Sequence, residues 1–274
     1  MGLNTLRILS DNIADYASFF PSSEALGFPV VNVITDNKGK VFRSTSSILS
    51  LLLTWDSVQT LSCLILPFCS LSNTSTIRVR LYSDAVGSVL LLDTGICAVP
   101  EIIINTTNNT GIYKFNDGAT NTRSIYFNKT SNVIRVLIDI NEPLNSVPYI
   151  ELSRILMGNY WSPAISAEYG YSVEIVDTST SSRNLSGTLA TSKGTLHKCL
   201  KFTLPYMQDT DRTAFLRIQS TNGMYKSMFI SLFPNDVDPN NEQTYQVYGR
   251  LSNLDSINHP NYGQFTSSVT IEEV

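Results

Sequence analysis

The stretch "TSTIRVRLYSDAVGSVLLLDTG", Thr74 to Gly95, decides the fold. Ile77, Val79 and Leu81 alternate with Arg78, Arg80 and Tyr82. A period of two puts the aliphatic side chains on one face of a strand and the guanidinium groups on the other. The turn residues of "SDAVGS" follow, then the apolar run Val89 to Leu92, then the turn Asp93-Thr94-Gly95. This reads as a hairpin in a layered sheet. Burial of the three aliphatic side chains stabilises it by about 1.5–3 kcal/mol each and fixes the register.

The same rhythm extends in both directions. "GKVFRSTS" reads as a short strand around Val41 to Ser44, and "VQTLSCLILPF" as a buried strand closed by Pro67. "GIYKF", "SIYFN" and "NVIRVLIDIN" alternate, with "NTTNNTG" and "NDGATNT" as turns. Beyond Pro143 and Pro148, near "ELSRILMGNYWSPA", a second unit begins. There "GYSVEIVD" and "LHKCLKFTLPYM" alternate, and "SSRNLSGTLATSKGT" is hairpin-like. "QDTDRTAFLRIQSTNG" reads as a helix, with Asp209 or Thr210 as its cap, a stripe of Ala214, Phe215 and Ile218, and Asn222-Gly223 at its end. "MYKSMFISLFP", "YQVYGRL" and "SSVTIEEV" close the chain as strands around the loop "NDVDPNNEQ". The expected class is all-β: two β-sandwich or jelly-roll-like domains. Residues 1–154 form the first; residues 155–274 form the second, with a helix near 209–220.

The 274 residues are 42% hydrophobic but only 15% charged, with a formal net charge of −4. Hydroxyl and amide side chains fill the gap, which suits a long-lived β scaffold and argues against a disordered chain. A weakly acidic balance offers phosphate no general attraction, so no nucleic-acid partner is expected. The greasiest run, Ile48 to Phe68, is broken by Asp56, Gln59 and Pro67, and no membrane insertion is expected. "MGLNTLRILSDN" has no secretory pattern, so the chain is expected to stay in the cytoplasm where it is made.

Catalytic chemistry finds little material. His197 lies in a strand pattern and His259 in the turn "NHPNYG"; no nucleophile elbow, zincin motif or phosphate loop occurs. The expectation is no enzyme and no cofactor. Cys63, Cys69, Cys97 and Cys199 match no zinc spacing and read as free thiols. In "DVDPNNE", Asp236, Asp238 and Asn240 match the start of an EF-hand loop, but Asn241 replaces its Gly and Val247 its final Glu. A solvated connection is the plainer reading. Arg78, Arg80 and Arg135 form a cationic stripe that is either a solvated outer face or a contact to acidic groups on a neighbour. Tyr160 and Trp161 sit at the expected boundary, as a plug or a sugar-stacking pair. These five residues are the candidate interface.

Several motifs carry a family resemblance. Phe42-Arg43-Ser44 precedes an apolar strand, "TIRVR" follows, and then Asp93-Thr94-Gly95. "RILMGNYWSP", the spaced Ser179, Arg183 and Gly187, and the ending "TIEEV" continue the pattern. Together these resemble the galactose-binding-like virion proteins of tailed bacteriophages. The resemblance implies a structural component of the particle, in the tail tip or baseplate. It also implies a homo-oligomeric ring, other virion proteins as partners, and fibres attached. An alternative is a carbohydrate-binding module for host-surface glycans, with the loops "SSEALG", "SLSNTST" and "NTTNNTG" as candidates. A polysaccharide hydrolase with a carboxylate pair is a third reading.

Overall fold

The computed structural model describes residues 5–72, 74–98, 122–143, 147–234, 236 and 238–274. The expected strand "GIYKF" and the loop "NTTNNTG" lie outside the described residues. Two compact units emerge. The first comprises Asp11–Tyr160 with Val237–Gln243; the second comprises Met1–Ser10, Trp161–Asp236 and Thr244–Val274. This division differs from 1–154 and 155–274 at both ends. The N-terminal segment forms β1 (Arg7–Leu9), which pairs antiparallel with a late strand near residue 230.

In the first unit, β2 (Ser18–Pro21) and β3 (Phe42–Arg43) precede β4 (Ile48–Leu66). The strands β5 (Thr76–Tyr82), β6 (Leu90–Asp93) and β7 (Cys97–Ala98) follow. Then come β8 (Arg123–Asn141), β9 (Glu151–Leu152) and β10 (Leu156–Gly158). Among the described residues the main antiparallel sheet has the order β10-β4-β8-β5-β6, with β2 added on β4 and β7 on β5; β3 and β9 make a separate pair. The apolar run closed by Pro67 is the second half of β4, and the two segments read as "SIYFN" and "NVIRVLIDIN" are one strand, β8.

Two hydrophobic patterns meet in β4. Leu49, Leu51, Leu53 and Trp55 alternate inward, whereas Leu61 to Leu66 are buried without a break, which requires cover on both faces. Between them the β4–β8 register shifts repeatedly, so the sheet curls there. Ile77, Val79 and Leu81 are buried in the resulting core, as the opening stretch requires.

The second unit contains β11 (Ser172–Asp177), β12 (Thr180–Arg183), β13 (Leu189–Ser192), β14 (Leu196–Met207) and α1 (Asp209–Asn222). After β15 (Met228–Ser231) the chain passes through α2 (Pro239–Thr244), which falls where a loop was expected and belongs, up to Gln243, to the first unit. The strands β16 (Gln246–Leu251), β17 (Asn258–Asn261) and β18 (Gln264–Glu273) complete the second unit. The sheet order is β1-β15-β16-β18-β14-β11, with β17 on β18. Phe215 and Ile218 of α1 are buried, with Ala214 half-buried beside them. The cap differs from expectation: Gln208 occupies the N-cap position without a side-chain bond, and Asp209 lies in the first turn. The Asn222-Gly223 ending stands, with Gly223 at φ 54°. The whole is all-β with short helices, in curled antiparallel sheets.

Candidate functional site

The arginine stripe is locally neutralised. On β5, Arg78 Nε donates to Asp93 at 2.9 Å, and Arg80 pairs diagonally with Asp139 on β8, whose register partner is Arg78. Asp139 also accepts from Ser50 Oγ at 2.6 Å. The Arg78 guanidinium and the Gly95 N–H hold the Asp93 carboxyl down at about 2. Arg135 Nη1 donates to the Ala85 and Val86 carbonyls, and the guanidinium carbon Cζ lies 5.9 Å from the Tyr82 ring centroid. It braces the turn in which Asp84 accepts from the Ser88, Val89 and Gly87 N–H groups and the Ser88 hydroxyl. These lower its carboxyl to about 2. The acidic partners of Arg78 and Arg80 are therefore in their own sheet.

Tyr160 meets Tyr126 edge-on in the first unit, at 5.6 Å between centroids, while Trp161 stacks on Phe215 in the second, at 6.2 Å. The "DVDPNNE" segment leads into α2, and Asp238 Oδ1 accepts from the Asn240 N–H. No disulfide joins the four cysteines: Cys63, Cys69 and Cys199 are buried and Cys97 half-buried. Burial pushes the Cys69 and Cys199 thiols up.

The motif residues hold the first unit together. Arg154, from "RILMGNYWSP", is 6% exposed and grips Asp15 with Nη1 and Nη2 at 2.5 and 2.8 Å. It also reaches Asp36 and the Val33 carbonyl. Ser44 Oγ accepts from the Ile150 N–H at 2.8 Å and donates to the Ser46 carbonyl.

Arg43 stands at a different kind of place. The loop after β2 runs alongside β3: the Ala25 N–H donates to the Arg43 carbonyl, and the Arg43 N–H to that of Phe28. On the other side β9 pairs with β3 and sets Glu151 opposite Arg43. Three segments thereby converge. The Arg43 guanidinium lies 3.9 Å from the Phe28 ring centroid and 4.3 Å from that of Tyr149. Its Nε and Nη2 both donate to Oε1 of Glu151, at 2.8 and 2.5 Å. Both side chains remain a little over a quarter exposed, and the two rings are half-buried. Among the described residues Arg43 Nη1 and Glu151 Oε2 have no protein partner, so a spare donor and a spare acceptor lie beside two rings. Reading the sequence missed Phe28, Tyr149 and Glu151, because only the strand pairing brings them to Arg43; the single pointer was the Phe42-Arg43-Ser44 step.

No family model matches the chain, and no curated protein matches it. Among solved structures it is similar to chitosan-binding module 1 of a chitosanase/glucanase from Paenibacillus sp. IK-5, at 14% identity and a TM-score of 0.38, covering 54% of this chain and 99% of that one. A Clostridium perfringens CBM32 module in complex with GalNAc-β-1,3-galactose gives 9% identity and a TM-score of 0.40, covering 54% and 100%. A Streptococcus pneumoniae fucose-binding module gives 14% and 0.36, covering 54% and 94%.

Proposed function

We propose that the protein binds carbohydrate and does no catalysis of its own, with the Arg43 cluster of the first unit as its glycan contact. The observation that carries this reading is the salt bridge of Arg43 Nε and Nη2 to Glu151 Oε1, which leaves Arg43 Nη1 and Glu151 Oε2 without a protein partner among the described residues, beside the Phe28 and Tyr149 rings. Adjacent sugar hydroxyls both donate and accept, so a vicinal diol satisfies a guanidinium N–H and a carboxylate oxygen together. The apolar face of a pyranose packs on an aromatic ring. Because Glu151 neutralises Arg43, a neutral sugar fits better than an anionic one.

The test is a glycan array with the full chain, followed by calorimetry with the strongest glycan. Tyr149→Ala is expected to weaken that binding about tenfold with the fold retained. Silence across the array, or binding untouched by Tyr149→Ala and Glu151→Gln alike, rejects the reading.

A second reading, a structural component of a bacteriophage tail tip or baseplate, is supported by the sequence resemblance and by the edge of the first sheet. Strand β6 is paired with β5 alone among the described residues, and Val86, Leu90, Leu91 and Ile96 around it are exposed. An apolar edge strand suits subunit contact. On this reading the chain resides in the virion exterior and forms a ring with other virion proteins. Light scattering at high concentration should show a closed oligomer. A strict monomer that binds no particle protein counts against it.

A further inference from the structure

The turn "NHPNYG" has no part in the Arg43 site, and the structure gives it a setting of its own within the second unit. It closes the hairpin of β17 and β18: Gly263, at φ 69°, donates its N–H to His259 Nε2 at 3.2 Å, and the imidazole stacks on Phe265 at 4.5 Å between centroids. The tip is thus anchored while Tyr262 projects, fully exposed. Across from it, β14 loses register with β18 between Leu204 and Met207. There Tyr206 adopts φ 48°, a conformation that a bulky residue rarely takes, and stays half-exposed. The two tyrosines flank a hollow of about 420 Å³ whose remaining polar lining is Gln208, Asp209, Thr210 and Gln264.

Among the described residues, no hydrogen bond occupies the side-chain amides of Gln208 and Gln264 or the phenol groups of Tyr206 and Tyr262. Two amides supply paired donors and acceptors, and two tyrosines supply flat apolar faces with polar tips. A phosphate or sulfate finds no cation in this lining, and an aliphatic ligand finds too little apolar surface. The hollow's size suits one or two pyranose rings. Arg212 pairs with Asp209 at 3.2 Å, so this rim is close to neutral, and with a net charge of −4 on the chain nothing here favours an anionic sugar.

We propose that this hollow is a saccharide site, separate from the Arg43 cluster and selective for neutral pyranosides, in which Tyr206 and Tyr262 stack on the sugar and Gln208 and Gln264 bind its hydroxyls.

The experiment is backbone-amide NMR on the full labelled chain. The probes are lactose, N-acetyllactosamine, maltotriose and chitotriose, with 3′-sialyllactose as the anionic counterpart. At least one neutral probe is expected to shift the Gln208, Thr210, Gly263 and Gln264 amides. Tyr262→Ala and Tyr206→Ala should each weaken that probe about tenfold with the rest of the spectrum unchanged. Repeating the titration in Tyr149→Ala separates the sites: these shifts persist whatever happens at Arg43. The proposal is overturned by shifts confined to the first unit, by no shift with any neutral probe, by unchanged affinity in both tyrosine variants, or by preference for 3′-sialyllactose over lactose.

Discussion

Arg43 and Glu151 face each other across the short pairing of β3 and β9, and the guanidinium spends two of its donors, Nε and Nη2, on one carboxylate oxygen. The two residues are 108 positions apart in the chain, so the contact also closes a large part of the first unit. Arg43→Ala removes this pair and the packing on Phe28 and Tyr149, and should destabilise by about 1–3 kcal/mol. Glu151→Gln keeps the shape and should lose less. Urea titration of the two variants decides it; equal losses would assign the stability to the ion pair alone.

Arg154 is the more deeply held cation, with a bidentate grip on Asp15 and further bonds to Asp36 and the Val33 carbonyl. Its replacement by Met strands two carboxylates near the interior. A loss of about 3–5 kcal/mol is expected, visible as a lower urea midpoint. Asp15→Asn should cost less, since Asp36 still pairs with Arg154.

Val79 and Arg80 are neighbours on β5 with opposite fates: Val79 is wholly buried, while Arg80 lies in the paired surface row. Val79→Asp places an unpaired charge in the core and is expected to cost more than about 4 kcal/mol, with loss of cooperative thermal unfolding. Arg80→Gln should leave a folded protein. The opposite result would mean that the faces of β5 are reversed.

Acid should weaken the β5–β6 hairpin. The folded-state values of Asp84 and Asp93 are both about 2, below the ordinary 3.8, so the unfolded chain takes up protons first as the pH falls. Each group therefore contributes stability that is complete above 3.8 and lost on approach to 2. Urea midpoints from about pH 6 to about pH 2 should fall steeply for the native sequence and less steeply for Asp84→Asn. A parallel decline in the two would remove Asp84 from the account.

Gly249 on β16 lies where the neighbouring backbone of β18 approaches closely. A Cβ there would meet the Glu272 carbonyl oxygen at 1.9 Å, and a backbone atom cannot swing aside as a side-chain end can. Gly249→Ala should part β16 from β18 at a cost of about 3 kcal/mol, at the upper end of what overpacking exacts. Hydrogen exchange at the Leu251 and Ile271 amides should accelerate, and unchanged protection there would show that the sheet absorbs the methyl group.

The sequence by itself determined the β class, the inward set of Ile77, Val79 and Leu81, and the helix ending at Asn222-Gly223. Each of these depends on a local period or on the φ that one residue can reach. It also marked Arg43 and Arg154 as members of patterned motifs, without their partners. Tertiary structure alone decided that β1 joins a strand more than two hundred residues later, that Arg78 and Arg80 find Asp93 and Asp139 in their own sheet, and that Phe28, Tyr149 and Glu151 gather at Arg43. The same holds for Tyr206 and Tyr262 around one hollow. The physical reason is that antiparallel pairing joins residues by register, not by distance along the chain. A period of two says which face a side chain takes but not which strand will lie beside it.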